Sequence, residues 1–108
     1  MIGGIVKIVY PRRGSIVRET YFIHFKSVND DINTIEDSIK QILKLSYSVS
    51  VFIGGVDDTE YELEILIAGD KAHILIKDKD DMHVTTEEAM EFLHEVFSGL
   101  REQSKQIC

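Results

Sequence analysis

Between Tyr61 and Ile76 apolar residues occupy every second position: Tyr61, Leu63, Ile65 and Ile67 precede Gly69-Asp70, and Ala72, Ile74 and Ile76 follow it. Alternation of this kind buries one face of a strand and wets the other, so the segment reads as two strands joined by a tight turn. With Gly69-Asp70 as a two-residue loop, Leu63 falls opposite Ile76, Ile65 opposite Ile74 and Ile67 opposite Ala72, all on one face. The same register sets Glu62 across from Lys77 and Glu60 across from Lys79 on the other face, where opposite charges contribute roughly 0.2–1 kcal/mol per pair.

The rest of the chain divides by the same test. Residues 5–10 (IVKIVY) and 16–25 (IVRETYFIHF) are rich in β-branched and aromatic types and flank Pro11-Arg12-Arg13-Gly14, which predicts an antiparallel hairpin. The consecutive Tyr21, Phe22 and Ile23 blur its register and suggest a central strand covered on both faces, or a bulge. Asn29-Asp30-Asp31 supplies cap candidates for a helix over 32–45, whose Ile32, Ile35, Ile39, Ile42 and Leu43 recur at helical spacing. Val49, Val51 and Ile53 then alternate as a third strand that stops at Gly54-Gly55. Thr85 and Glu88 have the spacing of a capping box, with Val84 and Ala89 as a hydrophobic staple, ahead of the stripe Ala89, Phe92, Leu93, Val96, Phe97 and Leu100. Gly99 stands where a C-terminal cap belongs, and residues 101–108 read as a mobile tail. The order is β-β-α-β-β-β-α, a single α+β domain over residues 1–100 with two helices packed on an antiparallel or mixed sheet.

Charge narrows the function. Residues 1–28 hold five basic side chains and one acidic, a net of +4, whereas the remainder holds seven against eighteen, a net of −11. A field of that sign repels phosphate backbones and anionic lipid, so neither nucleic acid nor a membrane is expected as a partner. The Arg12-Arg13 tip is expected to be a solvated turn. No apolar run reaches the roughly 18 residues of a spanning helix, and MIGGIVK lacks the zones of a secretion signal, which leads us to expect a cytoplasmic protein. The lone Cys108 has no internal disulfide partner and fits a reducing compartment.

No recognisable reaction centre emerges. His24, His73, His83 and His94 stand in no metal-ligand spacing, and the expected strand and helix faces put His73 and His94 at the surface. The run from Asp78 to His83 has oxygen ligands but lacks the glycine and glutamate of a calcium loop. The serines lack nucleophile-elbow glycines, and neither Gly3-Gly4 nor Gly54-Gly55 leads into a phosphate loop. We therefore expect no catalysis, no metal and no cofactor. What stands out is carboxylate: Asp57, Asp58, Glu60, Glu62 and Glu64 precede or line the outer face of the hairpin, and Asp78, Asp80 and Asp81 close its far end. Such a patch steers a basic protein into contact and raises its association rate.

Over residues 28–100 the chain resembles the immunity proteins that bacteria make against their own polymorphic or contact-dependent toxins, above all those paired with deaminase toxins. The likeness rests on the amphipathic helix, the strand ending at Gly54-Gly55-Val56-Asp57, the strand-turn-strand LEILIAGDKAHILIKD and the capped final helix. It departs from that family in lacking a tryptophan after the last helix. The resemblance implies a small acidic protein that binds a basic toxin domain and blocks it. The order of elements is also similar to that of longin and profilin-like domains, which implies an interaction module, with Phe22, Leu66 and Leu75 as apolar residues for a homodimer.

Overall fold

A computed structural model describes the backbone of residues 3–24, 28–54, 61–79 and 81–107, and the side chains of 4–22, 32–54, 61–79 and 81–99. Its elements in chain order are β1 (Gly3–Arg12), β2 (Ser15–His24), α1 (Val28–Leu45), β3 (Ser48–Gly54), β4 (Tyr61–Ala68), β5 (Lys71–Ile76), β6 (Met82–Thr85) and α2 (Thr86–Ile107). The strands form one sheet in the order β2-β1-β3-β4-β5-β6, with every neighbouring pair antiparallel. This is the expected α+β order, extended by the short β6 at one edge.

The strand periodicity sets which residues meet the helices. Val6, Ile8 and Tyr10 of β1, Val49, Val51 and Ile53 of β3, and Leu63, Ile65 and Ile67 of β4 all point to one face. That face is closed by Ile32, Ile35, Ile39 and Ile42 of α1 and by Ala89, Leu93 and Phe97 of α2, giving one continuous core. Burial of each large side chain there contributes about 1.5–3 kcal/mol, which holds the helices on the sheet. α1 lies over the β2 and β3 side and α2 over β4, β5 and β6, so each helix roofs half of the sheet. Both helices occupy the same side, and no described helix covers the other face of the sheet.

The register read from alternation is the one observed: Leu63 pairs with Ile76, Ile65 with Ile74 and Ile67 with Ala72. Gly69 takes φ 63° at the first central position of that turn, a conformation glycine adopts without strain. In the N-terminal hairpin the turn narrows to Arg13-Gly14, at φ 52° and 81°, and Pro11 and Arg12 belong to β1. The capping box forms as expected: the Glu88 amide donates to Thr85 Oγ1 at 3.1 Å and the Thr85 amide to Glu88 Oε1 at 3.2 Å. Thr86 then ties the helix start to the β4–β5 turn, its hydroxyl donating to the Gly69 carbonyl at 2.7 Å.

Four details differ from expectation. β2 is an edge strand, with Tyr21 packed toward the core and Phe22 turned outward at 61% exposure, so the run of apolar residues does not mark a central strand. The register of β3 against β4 shifts at Ile53/Gly54, where Gly54 pairs with Tyr61 and Ile53 with Leu63. Glu62 is the residue left over, and the bulge turns Tyr61 to the face opposite Leu63. α1 begins at Val28, which places the cap candidates Asn29, Asp30 and Asp31 inside the helix. α2 runs through Gly99 to Ile107, so the glycine is no terminator and the helix includes residues 101–107.

Candidate functional site

The uncovered sheet face is built from the alternate residues of the same strands. Val9, Phe52, Leu66 and Leu75, all half-buried, form its apolar part, with Ile5 on the same face but buried, and Ile16 and Phe22 extend it along β2 at 53% and 61% exposure. The bulge adds Tyr61, whose ring centre lies 5.1 Å from that of Phe52, and the Lys7 ammonium sits 5.6 Å above the same ring. Cation–π attraction of this kind pins the lysine stem across the apolar surface.

Four of the predicted carboxylates fall within the described residues, and all four lie toward the β4–β6 side of this face or at its rim. Glu64 is half-buried between Phe52 and Leu75, its partners in register on β3 and β5. Glu62 is exposed, and its carbonyl accepts the Lys77 amide at 2.9 Å, which confirms the expected Glu62–Lys77 juxtaposition. Asp78 is exposed at φ 63° in the turn after β5. Asp81 places Oδ2 3.3 Å from His73 Nε2. Asp57, Asp58, Glu60 and Asp80 lie outside the described residues, as does the Glu60–Lys79 pairing. The face is not uniformly negative: Lys7 and Arg18 occupy its β1–β2 half.

His73, opposite Leu66 as expected, stacks on His83 across β5 and β6 with ring centres 4.3 Å apart and planes at 14°. Its Nε2 is shielded from solvent and makes no hydrogen bond among the described residues, so the Asp81 carboxylate is its electrostatic complement. No group of three or more His, Cys, Asp or Glu side chains among the described residues is placed to hold a metal ion. The side chain of His24 lies outside them. No described helix is long and apolar enough to cross a membrane.

Two further features leave little signal in the sequence. Glu19, on β2, points inward beneath α1: its Oε1 accepts the Tyr10 hydroxyl at 3.2 Å, and its Oε2 accepts the Tyr21 hydroxyl and Ser38 Oγ, each at 3.1 Å. Tyr21 and Ser38 also bond each other at 3.2 Å. Burial pushes the Tyr10 hydroxyl above its ordinary pKa of 10.0, the Glu19 charge adds to the rise, and Arg12 opposes it. Tyr21 is raised too, by burial first, with Ser38 opposing and Glu19 reinforcing. A glutamate flanked by Arg18 and Thr20 reads as solvent-facing, and only its odd position alongside Val17 and Tyr21 marks it as inward.

The second lies on the opposite side of the molecule. A groove of about 380 Å³ runs between α1 and α2, with Ile39, Leu93 and Phe97 buried beneath it and Met90 half-buried at its mouth. Glu36 and Lys40 edge it on α1, and Glu91, His94 and Glu95 on α2. His94 reaches across, its Nδ1 3.3 Å from Glu36 Oε2, while its side chain stays 66% exposed. The expected surface position of His94 holds, with this added contact. Glu87, Glu91 and Glu95, one helical turn apart and all exposed, make α2 the most acidic described element. Their spacing of four was legible in the sequence but is the pattern of any solvated helix face. Compared with protein-family models, curated proteins and solved structures, the chain finds no match in any of the three.

Proposed function

We propose that this chain is a non-catalytic, immunity-type protein of the bacterial cytoplasm that binds and neutralises a basic toxin domain. The observation that carries the reading is the uncovered sheet face, where Phe52, Tyr61, Leu66 and Leu75 lie among Glu62, Glu64 and Asp81. A half-buried apolar surface beside carboxylates suits a partner that brings both apolar anchors and cationic side chains, the first for affinity and the second for approach and orientation. The net charge of −7 supports the same choice of partner. Asp57, Asp58, Glu60 and Asp80, near these acids in sequence, belong to the same proposed set of partner-binding residues.

Coexpression with a basic toxin domain encoded beside this chain tests the reading. Protection of the host cell, lost on combining Glu62→Lys, Glu64→Lys and Asp81→Lys, is the expected outcome. Full toxicity in the presence of the unaltered chain would refute it. A second reading, a homodimeric adaptor, is favoured by the exposed Ile16 and Phe22 on the edge strand. Sedimentation separates the two, since an adaptor of that kind is a dimer at micromolar concentration.

A further inference from the structure

We infer that the groove between α1 and α2 is a second docking site, and that its occupant is a cationic amphipathic helix of a partner protein. The inference stands apart from the reading of the sheet face, which lies on the other side of the sheet.

Shape, charge and spacing each contribute. The groove, at about 380 Å³, lies within the size range of natural binding clefts, and it runs along the two helices. Its base is apolar, and Met90 at the mouth is an unbranched, polarisable side chain that adapts to whichever anchor enters. Its edges carry Glu36, Glu91 and Glu95 against Lys40, so a cation is favoured over an anion. Glu91 and Glu95 are four residues apart, the spacing at which lysines or arginines recur on one face of an approaching helix. The helix presenting them carries like charges at successive turns, with Glu87 in the same row, and that repulsion is relieved when a positive partner arrives. His94, already drawn to Glu36, has the exposure to swing aside as the anchor enters.

The test uses the full chain, labelled for NMR, and a synthetic helical peptide of leucine and lysine with lysines four residues apart. Expected are shift changes confined to residues 36–40 and 90–97 and weakening with added salt. The Glu91→Lys/Glu95→Lys double variant should bind at least tenfold more weakly. A peptide of the same length with glutamate in place of lysine should not bind. Both substitutions are at exposed positions, and an unchanged circular dichroism spectrum verifies the fold. Shifts mapping to Glu62, Glu64 and Asp81 instead, equal binding by the double variant, or no binding at millimolar peptide would each overturn the inference while leaving the sheet-face reading to its own test.

Discussion

Removing the Glu19 carboxylate should loosen the edge of the sheet to an extent that follows from its three hydrogen bonds. In Glu19→Ala the Tyr10 hydroxyl, on a residue only 5% exposed, loses its acceptor, and a buried donor left unpaired costs about 1–3 kcal/mol. Tyr21 and Ser38 retain each other at 3.2 Å, so their loss is nearer that of one ordinary bond, about 0.5–1.5 kcal/mol. Release of a partly desolvated carboxylate offsets some of this, leaving about 1–4 kcal/mol. Against a total of roughly 5–15 kcal/mol the loss is large, and with a urea slope of about 2 kcal/mol per molar it moves the unfolding midpoint down by about 0.5–2 M. Glu19→Gln, which keeps the shape and removes the charge, should lose about 1 kcal/mol. The two tyrosines supply an independent readout. Their folded-state pKa values are raised, so the folded protein holds those protons longer than the unfolded chain does. The corresponding stability is present in full below pH 10.0 and is lost as pH climbs through the raised values. Ultraviolet titration of Glu19→Gln should show the tyrosinate transition moving to lower pH, but only part of the way, because burial is the larger cause. A midpoint for Glu19→Ala within 0.2 M of the parent, taken as about 0.5 kcal/mol, would refute the assignment of Glu19 as the hub of this cluster.

Other substitutions test the fold at points where a single effect dominates. Phe97→Ala deletes a fully buried ring from the core and should destabilise by about 3–5 kcal/mol in denaturant unfolding, the largest loss among these variants. Thr85→Ala removes the N-cap hydroxyl and should lower stability by about 1 kcal/mol, with Thr85→Ser close to the parent. Gly69→Ala meets no atom within 4 Å, so its expected loss of about 1 kcal/mol comes from the left-handed backbone alone, and Gly69→Asn should lose less by thermal melting.

Strand pairing was legible wherever a two-residue period met a turn signal. The β4–β5 register follows from Leu63, Ile65, Ile67, Ile74 and Gly69 because a slip of one residue would turn the whole apolar set to solvent. Tyr61 continued that period and still faces the other way, since a bulge depends on how β3 meets β4 and leaves no mark in either strand alone. β6 escaped because its four residues, MHVT, bring only Val84 to the main core, too short a run to show a period. Glu19 was obscured by its chemistry: a carboxylate is assigned to solvent unless its three hydroxyl partners, from β1, β2 and α1, are known. The outward positions of Glu62, Glu64 and Asp78 followed from the hairpin pattern, but the helix-lined groove was not legible, because it exists only once α1 and α2 lie side by side.

The order of strands also divides the chain in time. β1 with β2, and β3 through β6, are each built from neighbours in sequence, and in the sheet they join only where Ile5 to Val9 zip onto Ser50 to Gly54. That seam unites segments more than forty positions apart, so closing it demands far more chain entropy than either meander does. Closing this seam is the step expected to limit folding, so stopped-flow folding of variants at Val6, Ile8 or Val51 should slow more than that of variants at the two hairpin tips.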